Sequence, residues 1–174
     1  MKKLFSFAIL SVLLFACQND PAASLEQKLT ELDKAMGGAA VTDKSKADEF
    51  IKASEELATL VEKSNPDKYI NLMLKAAGLA KTVQQPQKAI EMYQKVVDKY
   101  PQHKKAPTAL FMIGFVQEND LNQLDQAKTT YESFLAKYPN DPDFTDDAQN
   151  ALKQLGKSPE ELIKEFEQNA GQAQ

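Results

Sequence analysis

The sequence predicts an all-α fold in which antiparallel helix pairs stack side by side. From Ser24 onward, apolar residues recur at steps of three and four, the spacing that forms one face of an amphipathic helix. No segment alternates apolar and polar residues as a half-buried strand would. A sixteen-residue stretch also recurs 38 positions later in the chain, and repeats of this length are typical of stacked helix pairs. We expect seven to eight helices.

The first residues predict an export signal rather than a part of the domain. A short basic start, Met1-Lys2-Lys3, is followed by thirteen uncharged, mostly apolar residues from Leu4 to Ala16. A helix that spans a membrane needs about 20 such residues. Thirteen residues instead match the apolar region of a signal peptide.

The end of this segment, Leu14-Phe15-Ala16-Cys17, resembles the lipobox of bacterial lipoprotein precursors. Phe15 departs from the pattern, which more often has a small or β-branched residue there. The resemblance implies cleavage before Cys17 and lipid on its sulfur, and several acyl chains anchor a protein stably. The alternative is that Cys17 ends an ordinary secretory signal. Gln18 rather than Asp follows the cysteine, so the resemblance implies a protein anchored in the outer membrane and facing the periplasm. Exposure on the cell surface is the alternative that stays open.

Each helix is predicted from three features: an apolar face, a capping residue at its start, and glycine or proline at its end. The first carries an apolar stripe from Leu25 to Met36, with Ser24 as the expected N-cap and Gly37-Gly38 as its end. The second is expected to bury Leu60 among its inward residues and to end at Asn65-Pro66. The remaining boundaries follow from proline, glycine and capping signals. The eight expected spans are 24–36, 43–63, 67–81, 86–100, 105–118, 124–138, 144–155 and a last helix from Ser158, which has a capping-box pattern.

The internal repeat aligns residues 86–101 with residues 124–139. Five of sixteen positions are identical, where about one is expected from average residue usage. Both copies end in Lys-Tyr-Pro, and apolar residues stand opposite apolar residues between the identities. The two segments are therefore predicted to have the same structure and the same place in successive helix pairs.

These residues resemble the tetratricopeptide-repeat (TPR) signature. Its second helix has a small residue, then an aromatic, an apolar residue and a proline at fixed spacing, and its first helix has an apolar-small pair, here Ile113-Gly114. The resemblance implies a right-handed solenoid of antiparallel helix pairs, in which small residues let helices approach closely. The packing residues so assigned are Ala89, Tyr93, Val96, Pro101, Gly114, Ala127, Tyr131, Phe134 and Pro139.

The organisation along the chain follows from these signals. A signal peptide precedes a lipidated cysteine with a short tether, a first helix with its loop, the TPR-like domain and a disordered tail. The expected boundaries are 1–16, 17–23, 24–44, 45–169 and 170–174.

Composition excludes several function classes. Without residues 1–16 the chain has 19 Lys and 25 acidic residues, a net charge of −6, so nucleic acid is not expected as a ligand. The chain has one histidine, His103, and one cysteine. It therefore lacks the second histidine or cysteine that a metal site or a catalytic base would need as a partner. The acidic residues around Pro142 lack the glycine and closing glutamate of a calcium loop. We expect no cofactor, no metal, no small-molecule substrate and no enzymatic activity.

The expected function is protein binding. In TPR proteins the first helices of the pairs line a concave surface that binds peptides. The resemblance places Asn71, Leu74, Gly78, Lys81, Thr108, Phe111, Phe115 and Glu118 on that surface. Whether Phe111 and Phe115 lie in the groove or in the core stays open at this point.

The narrower resemblance is to TPR lipoproteins of the bacterial cell envelope. It implies a membrane-anchored scaffold or adaptor for envelope proteins, in outer-membrane protein assembly or envelope maintenance. The alternative is an accessory subunit that self-associates or assembles a complex through its N-terminal helix, Leu25–Met36.

Overall fold

A computed structural model describes residues 20–37, 43–158, 160–161 and 163–164. This part of the chain holds seven α-helices and no strand. The predicted signal peptide, Cys17 and the C-terminal tail lie outside the described residues. The helices are α1 (Pro21–Met36), α2 (Lys44–Val61), α3 (Pro66–Thr82), α4 (Pro86–Lys99), α5 (Ala106–Asn119), α6 (Leu124–Lys137) and α7 (Thr145–Gln154).

The helix starts are set by short polar side chains and prolines. Asp43 and Asn65 each accept the backbone N–H three residues ahead, at 3.1 and 3.0 Å, and thereby satisfy an N–H that the helix cannot. The hydrogen bond from the Lys46 N–H lowers the pKa of Asp43. The predicted capping box at Ser158 is present, since its Oγ accepts from the Glu161 N–H and its own N–H donates to Glu161 Oε2.

Two helix starts and one burial expectation were wrong. Helix α1 begins at Pro21, because Asp20 rather than Ser24 is its N-cap and accepts the Ala22 N–H at 3.0 Å. Residues 21–23, which we expected in the short tether, are therefore helical. Pro66 both follows α2 and opens α3, where its missing N–H costs nothing. Leu60, expected to point inward, is 53% exposed.

Every helix packs against the next one in the chain, and side-chain pairs also link α1 to α3 and α3 to the end of α5. Asp33 of α1 pairs with Lys75 of α3 at 2.7 Å, and Lys81 of α3 pairs with Asp120 after α5 at 3.6 Å. Glu26 of α1 also pairs with Lys68 of α3, at the same separation of 42 residues as Asp33 and Lys75, so α1 and α3 run parallel. Lys81 and Asp120 both lie at the C-terminal ends of α3 and α5, which indicates the same direction for α5. The even-numbered helices run in the opposite direction and pack against them, as in a helical solenoid.

The repeated Lys-Tyr-Pro endings tie each helix pair to the one before it. The Tyr100 hydroxyl donates to the Glu62 carbonyl at 3.2 Å, and the Tyr138 hydroxyl donates to the Pro101 carbonyl at 2.9 Å. Both bonds lie where an even-numbered helix ends. They join the α2–α3, α4–α5 and α6–α7 loops into one side of the solenoid. The start of α1 with Asp20 lies on the same side, because Glu26 near that start pairs with Lys68 near the start of α3. We call this side the Tyr-Pro edge.

His103 also lies on the Tyr-Pro edge, where its ring makes two contacts. Its Nδ1 accepts the Lys105 N–H at 3.2 Å, and its Nε2 lies 3.1 Å from Asp67 Oδ1. With Nδ1 as an acceptor, the neutral ring carries its proton on Nε2 and donates to the carboxylate. The only histidine thus holds the start of α3 to the loop before α5.

The core runs through the whole stack and uses the predicted packing residues. Ala89, Tyr93, Val96, Gly114, Ala127, Tyr131 and Phe134 are all buried. Pro101 and Pro139 are exposed and lie two residues beyond the ends of α4 and α6. The tightest contact joins α5 to α6, where a Cβ on Gly114 would meet the ring of Tyr131 at 2.7 Å.

The Gly114–Tyr131 contact yields a stability prediction. Gly114→Ala should lower the free energy of unfolding by about 1–3 kcal/mol, because the methyl group forces the buried Tyr131 ring to move. The matched control is Gly78→Ala in α3, where the nearest atom to the new Cβ is 3.9 Å away. That change should stabilise by up to about 1 kcal/mol through helix propensity. Urea unfolding monitored by circular dichroism measures both, and equal effects at the two glycines would contradict the packing assignment.

The Tyr hydroxyl ties yield a second prediction. Tyr138→Phe and Tyr100→Phe should each lower the free energy of unfolding by about 0.5–1.5 kcal/mol, since each removes one hydrogen bond between helix pairs. Tyr93→Phe is the control, because the Tyr93 hydroxyl has no hydrogen-bond partner within the described residues. The midpoint of thermal unfolding gives the comparison, and a loss for Tyr93→Phe as large as for the other two would refute the role of these ties.

Candidate protein-interaction surface

The exposed sides of α1, α3 and α5 form one continuous surface, which we call the odd-helix face. The groove residues expected from the sequence lie on α3 and α5, so this face is where they must be judged. The structure brings some of them together on the surface and places others in the core. The two groups differ in what already contacts them.

Phe111 belongs to the core. Its side chain is 8% exposed, and the ring of Phe144 stacks on it with 4.6 Å between centroids. Tyr131 and Phe134 lie against it at 5.6 and 6.1 Å. Phe111 therefore lies in the core and not in a groove. Phe144, the residue before α7, covers the side of its ring that a partner would otherwise contact.

Glu118 is also engaged within the domain. It accepts a hydrogen bond from the Tyr131 hydroxyl at 2.8 Å. Burial, together with this hydrogen bond, raises the pKa of Tyr131 above its ordinary value, so the hydroxyl stays protonated and donates. Glu118 thus satisfies a buried phenol, and its assignment to the groove is not supported by its contacts.

Phe115 has a different environment from Phe111. It is half-buried, and the ammonium of Lys81 lies 5.1 Å from its ring centroid. Lys81 is in turn paired with Asp120. Leu74 of α3 and Thr108 of α5 are half-buried as well. An aromatic ring edged by a lysine gives a partner both an apolar contact and a charge.

The start of α3 contributes the polar part of the face. Asn71 is exposed, and its side-chain carbonyl accepts a hydrogen bond from Lys105 of the next helix pair. An open depression of about 450 Å³ lies beside it, lined by Asn65, Asp67, Lys68, Asn71, Leu72 and Lys75. Lys75 and Lys105 were not expected from the sequence. Lys75 follows Asn71 by four residues on α3, so helical spacing could have found it. Lys105 precedes α5, and no local spacing places it beside Asn71.

The chemistry of the face suits binding rather than catalysis. Amide, ammonium and partly exposed apolar groups lie side by side, as in surfaces that accept a peptide backbone and its side chains. Among the residues that the structure describes, no group of three or more His, Cys, Asp or Glu could hold a metal ion. In the same residues, no helix is long and apolar enough to cross a membrane.

The acidic residues before α7 have a local role. Asp141 Oδ1 accepts the N–H groups of Asp143 and Phe144 at 3.1 and 2.9 Å. Thr145, the first residue of α7, donates its hydroxyl to the Tyr138 carbonyl at 3.4 Å. Asp141 therefore shapes the turn that brings Phe144 onto Phe111.

Comparison with known families agrees with this architecture. Residues 72–103 and 108–141 each match the family described as tetratricopeptide repeat. The first match covers most of α3 with α4, and the second covers α5 with α6, so the chain contains two such repeats in an all-α helical repeat fold. None of the curated proteins compared with the chain matches it. Repeats of this family indicate a protein–protein interaction scaffold with protein partners.

The contrast between the two phenylalanines is testable. Phe111→Ala should lower the free energy of unfolding by about 3–5 kcal/mol, because it opens a cavity in the aromatic core. Phe115→Ala should cost clearly less, since its ring is only half-buried. Chemical unfolding of both variants, with the unchanged protein as reference, measures the difference. A larger loss for Phe115→Ala would reverse the assignment of core and surface.

Proposed function

We propose that this protein is a lipid-anchored adaptor of the bacterial cell envelope that binds another envelope protein on its odd-helix face. The observation that carries the binding role is the surface at Phe115, Lys81 and Asn71, where two matched repeats meet. Such a surface binds by shape, apolar contact and charge. The proposed activity involves no chemical step, and the protein is not an enzyme.

The anchoring part of the proposal rests on the sequence. Lipid on Cys17 after removal of residues 1–16 would hold the protein at the envelope, with the outer membrane facing the periplasm as the proposed location. The process served is proposed to be outer-membrane protein assembly or envelope maintenance. The acyl chains supply the membrane affinity, because a protein with several chains stays bound.

The alternative role, self-association or complex assembly through α1, would need an apolar surface on this helix, but its apolar residues face inward. Leu29 in the middle of the apolar stripe is 8% exposed, and Leu25, Leu32 and Met36 pack against the core. The outward side of α1 carries Glu26, Gln27, Thr30, Glu31, Asp33 and Lys34. A charged, polar side of this kind is a poor dimer interface, so binding of a different protein is the better-supported function.

Site-specific cross-linking tests the binding face. Met112 is a half-buried residue of α5, four residues after Thr108 and three before Phe115. A photo-reactive phenylalanine analogue at this position should capture a defined partner in cells. The same analogue at Glu132 on α6 is the matched control and should capture it at least about fivefold less. Phe115→Ala in the Met112-labelled protein should reduce capture, since it removes the apolar contact. Equal capture from both positions would place the interaction elsewhere.

Fractionation tests the anchor separately. Cys17→Ala should move the protein from the membrane fraction to the soluble one, because one or more acyl chains are lost. Globomycin-type inhibition of lipoprotein signal cleavage should cause the unprocessed chain to accumulate. If the Cys17→Ala protein stays in the membrane fraction, the lipid anchor is refuted while the binding face is unaffected.

A further inference from the structure

The position of α1 fixes which side of the domain lies nearest the proposed anchor. Helix α1 starts at Pro21, four residues after Cys17. Four residues reach at most about 14 Å when fully extended. Helix α2, with 18 residues, separates the two edges of the solenoid by about 27 Å at 1.5 Å per residue. A lipid on Cys17 therefore keeps the Tyr-Pro edge close to the bilayer and the opposite edge away from it.

The same edge carries lysines that make no ion pair within the described residues. Lys63 and Lys104 are exposed, and neither has an ion-pair partner within the described ranges. Lys105 contacts a neutral amide, Asn71, rather than a carboxylate. Many lysines elsewhere do have acidic partners, such as Lys75 with Asp33 and Lys88 with Glu55. The α4–α5 loop, residues 100–105, contains no acidic residue.

The α6–α7 loop has the opposite charge. Asp141 and Asp143 lie in it, followed by Asp146 and Asp147 at the start of α7. Tyr138 joins this loop directly to the α4–α5 loop. On the part of the Tyr-Pro edge nearer to α1, Lys63, Lys104 and Lys105 outnumber the exposed carboxylates Asp20 and Asp67. Acidic residues predominate at its far end. An anionic surface attracts the first part and repels the second within roughly one Debye length, about 8 Å at physiological salt.

We propose that the Tyr-Pro edge docks on an anionic bilayer surface through Lys63, Lys104 and Lys105. This inference rests on the proposed lipid anchor and adds an orientation to it. The phosphate groups of anionic lipids are the partner, the acidic α6–α7 loop is held away from them, and the odd-helix face stays open to a partner from the side.

Lysine acetylation in vesicles tests this orientation. The full-length lipidated protein is reconstituted either in phosphatidylglycerol-containing vesicles or in phosphatidylcholine vesicles, and each lysine's acetylation rate is read by mass spectrometry. Lys63 and Lys44 stand at the two ends of α2. The rate at Lys63 and Lys104 should fall about fivefold in the anionic vesicles, and Lys44 should react equally in both. Raising the salt concentration should abolish the difference.

A charge-reversal pair provides the matched control. Docking should also slow the acetylation of Lys105 in anionic vesicles. In the double variant Lys63→Glu with Lys104→Glu, this slowing should be lost. Lys128→Glu with Lys153→Glu changes the net charge equally on exposed positions of α6 and α7 and should leave Lys105 slow. Protection of Lys44, or equal rates at Lys44 and Lys63, overturns the orientation alone. Failure of the protein to remain with any vesicle overturns the lipid anchor, and the orientation with it.

Discussion

The close approach of α5 to α6 at Gly114 and Tyr131 is the constraint on which the rest of the stack depends. A helix pair of this size cannot bury its own apolar side, so each pair must present a shaped surface to the next. With no side chain at Gly114, the Tyr131 ring lies flat against α5 and fills the gap between helices. That position lets its hydroxyl reach Glu118 and lets Phe111 pack against it. Phe111 then supports Phe144, and α7 closes the stack. A change at one small residue would therefore be felt across three helices.

The sequence predicted the helices and the repeat well because both depend on local spacing. Helical periodicity and the Lys-Tyr-Pro endings are properties of short segments, and seven helices lie close to the expected spans. The errors arose where tertiary contact decides. Asp20 could not be ranked above Ser24 as the N-cap, since both residue types cap well. Leu60 fits an apolar stripe, yet the stack has no helix on that side of α2.

The candidate surface was less predictable than the fold for the same reason. Phe111 and Phe115 lie four residues apart on one helix, and nothing in their spacing separates core from surface. The deciding residue is Phe144, some 30 positions away, whose contact with Phe111 depends on the turn made by Asp141. Lys105 likewise meets Asn71 only because His103 holds the α4–α5 loop against the start of α3. Contacts between successive helix pairs cannot be read from one helix alone.

The ties between helix pairs also bear on function. The contacts that hold α1, α3 and α5 in register, such as Asp33 with Lys75 and Lys81 with Asp120, lie on or beside the surface proposed to bind a partner. They are exposed or half-exposed pairs, which contribute little to stability individually. A partner that replaces Asp120 as the ion-pair partner of Lys81 would thus lower the stability of the domain only slightly. It would gain a contact with a charge beside Phe115. The buried aromatic core on the other side of α5 keeps Phe115 in place during such an exchange. The division of α5 into a rigid side and an adaptable side is what allows a small helical stack to serve as a binding platform.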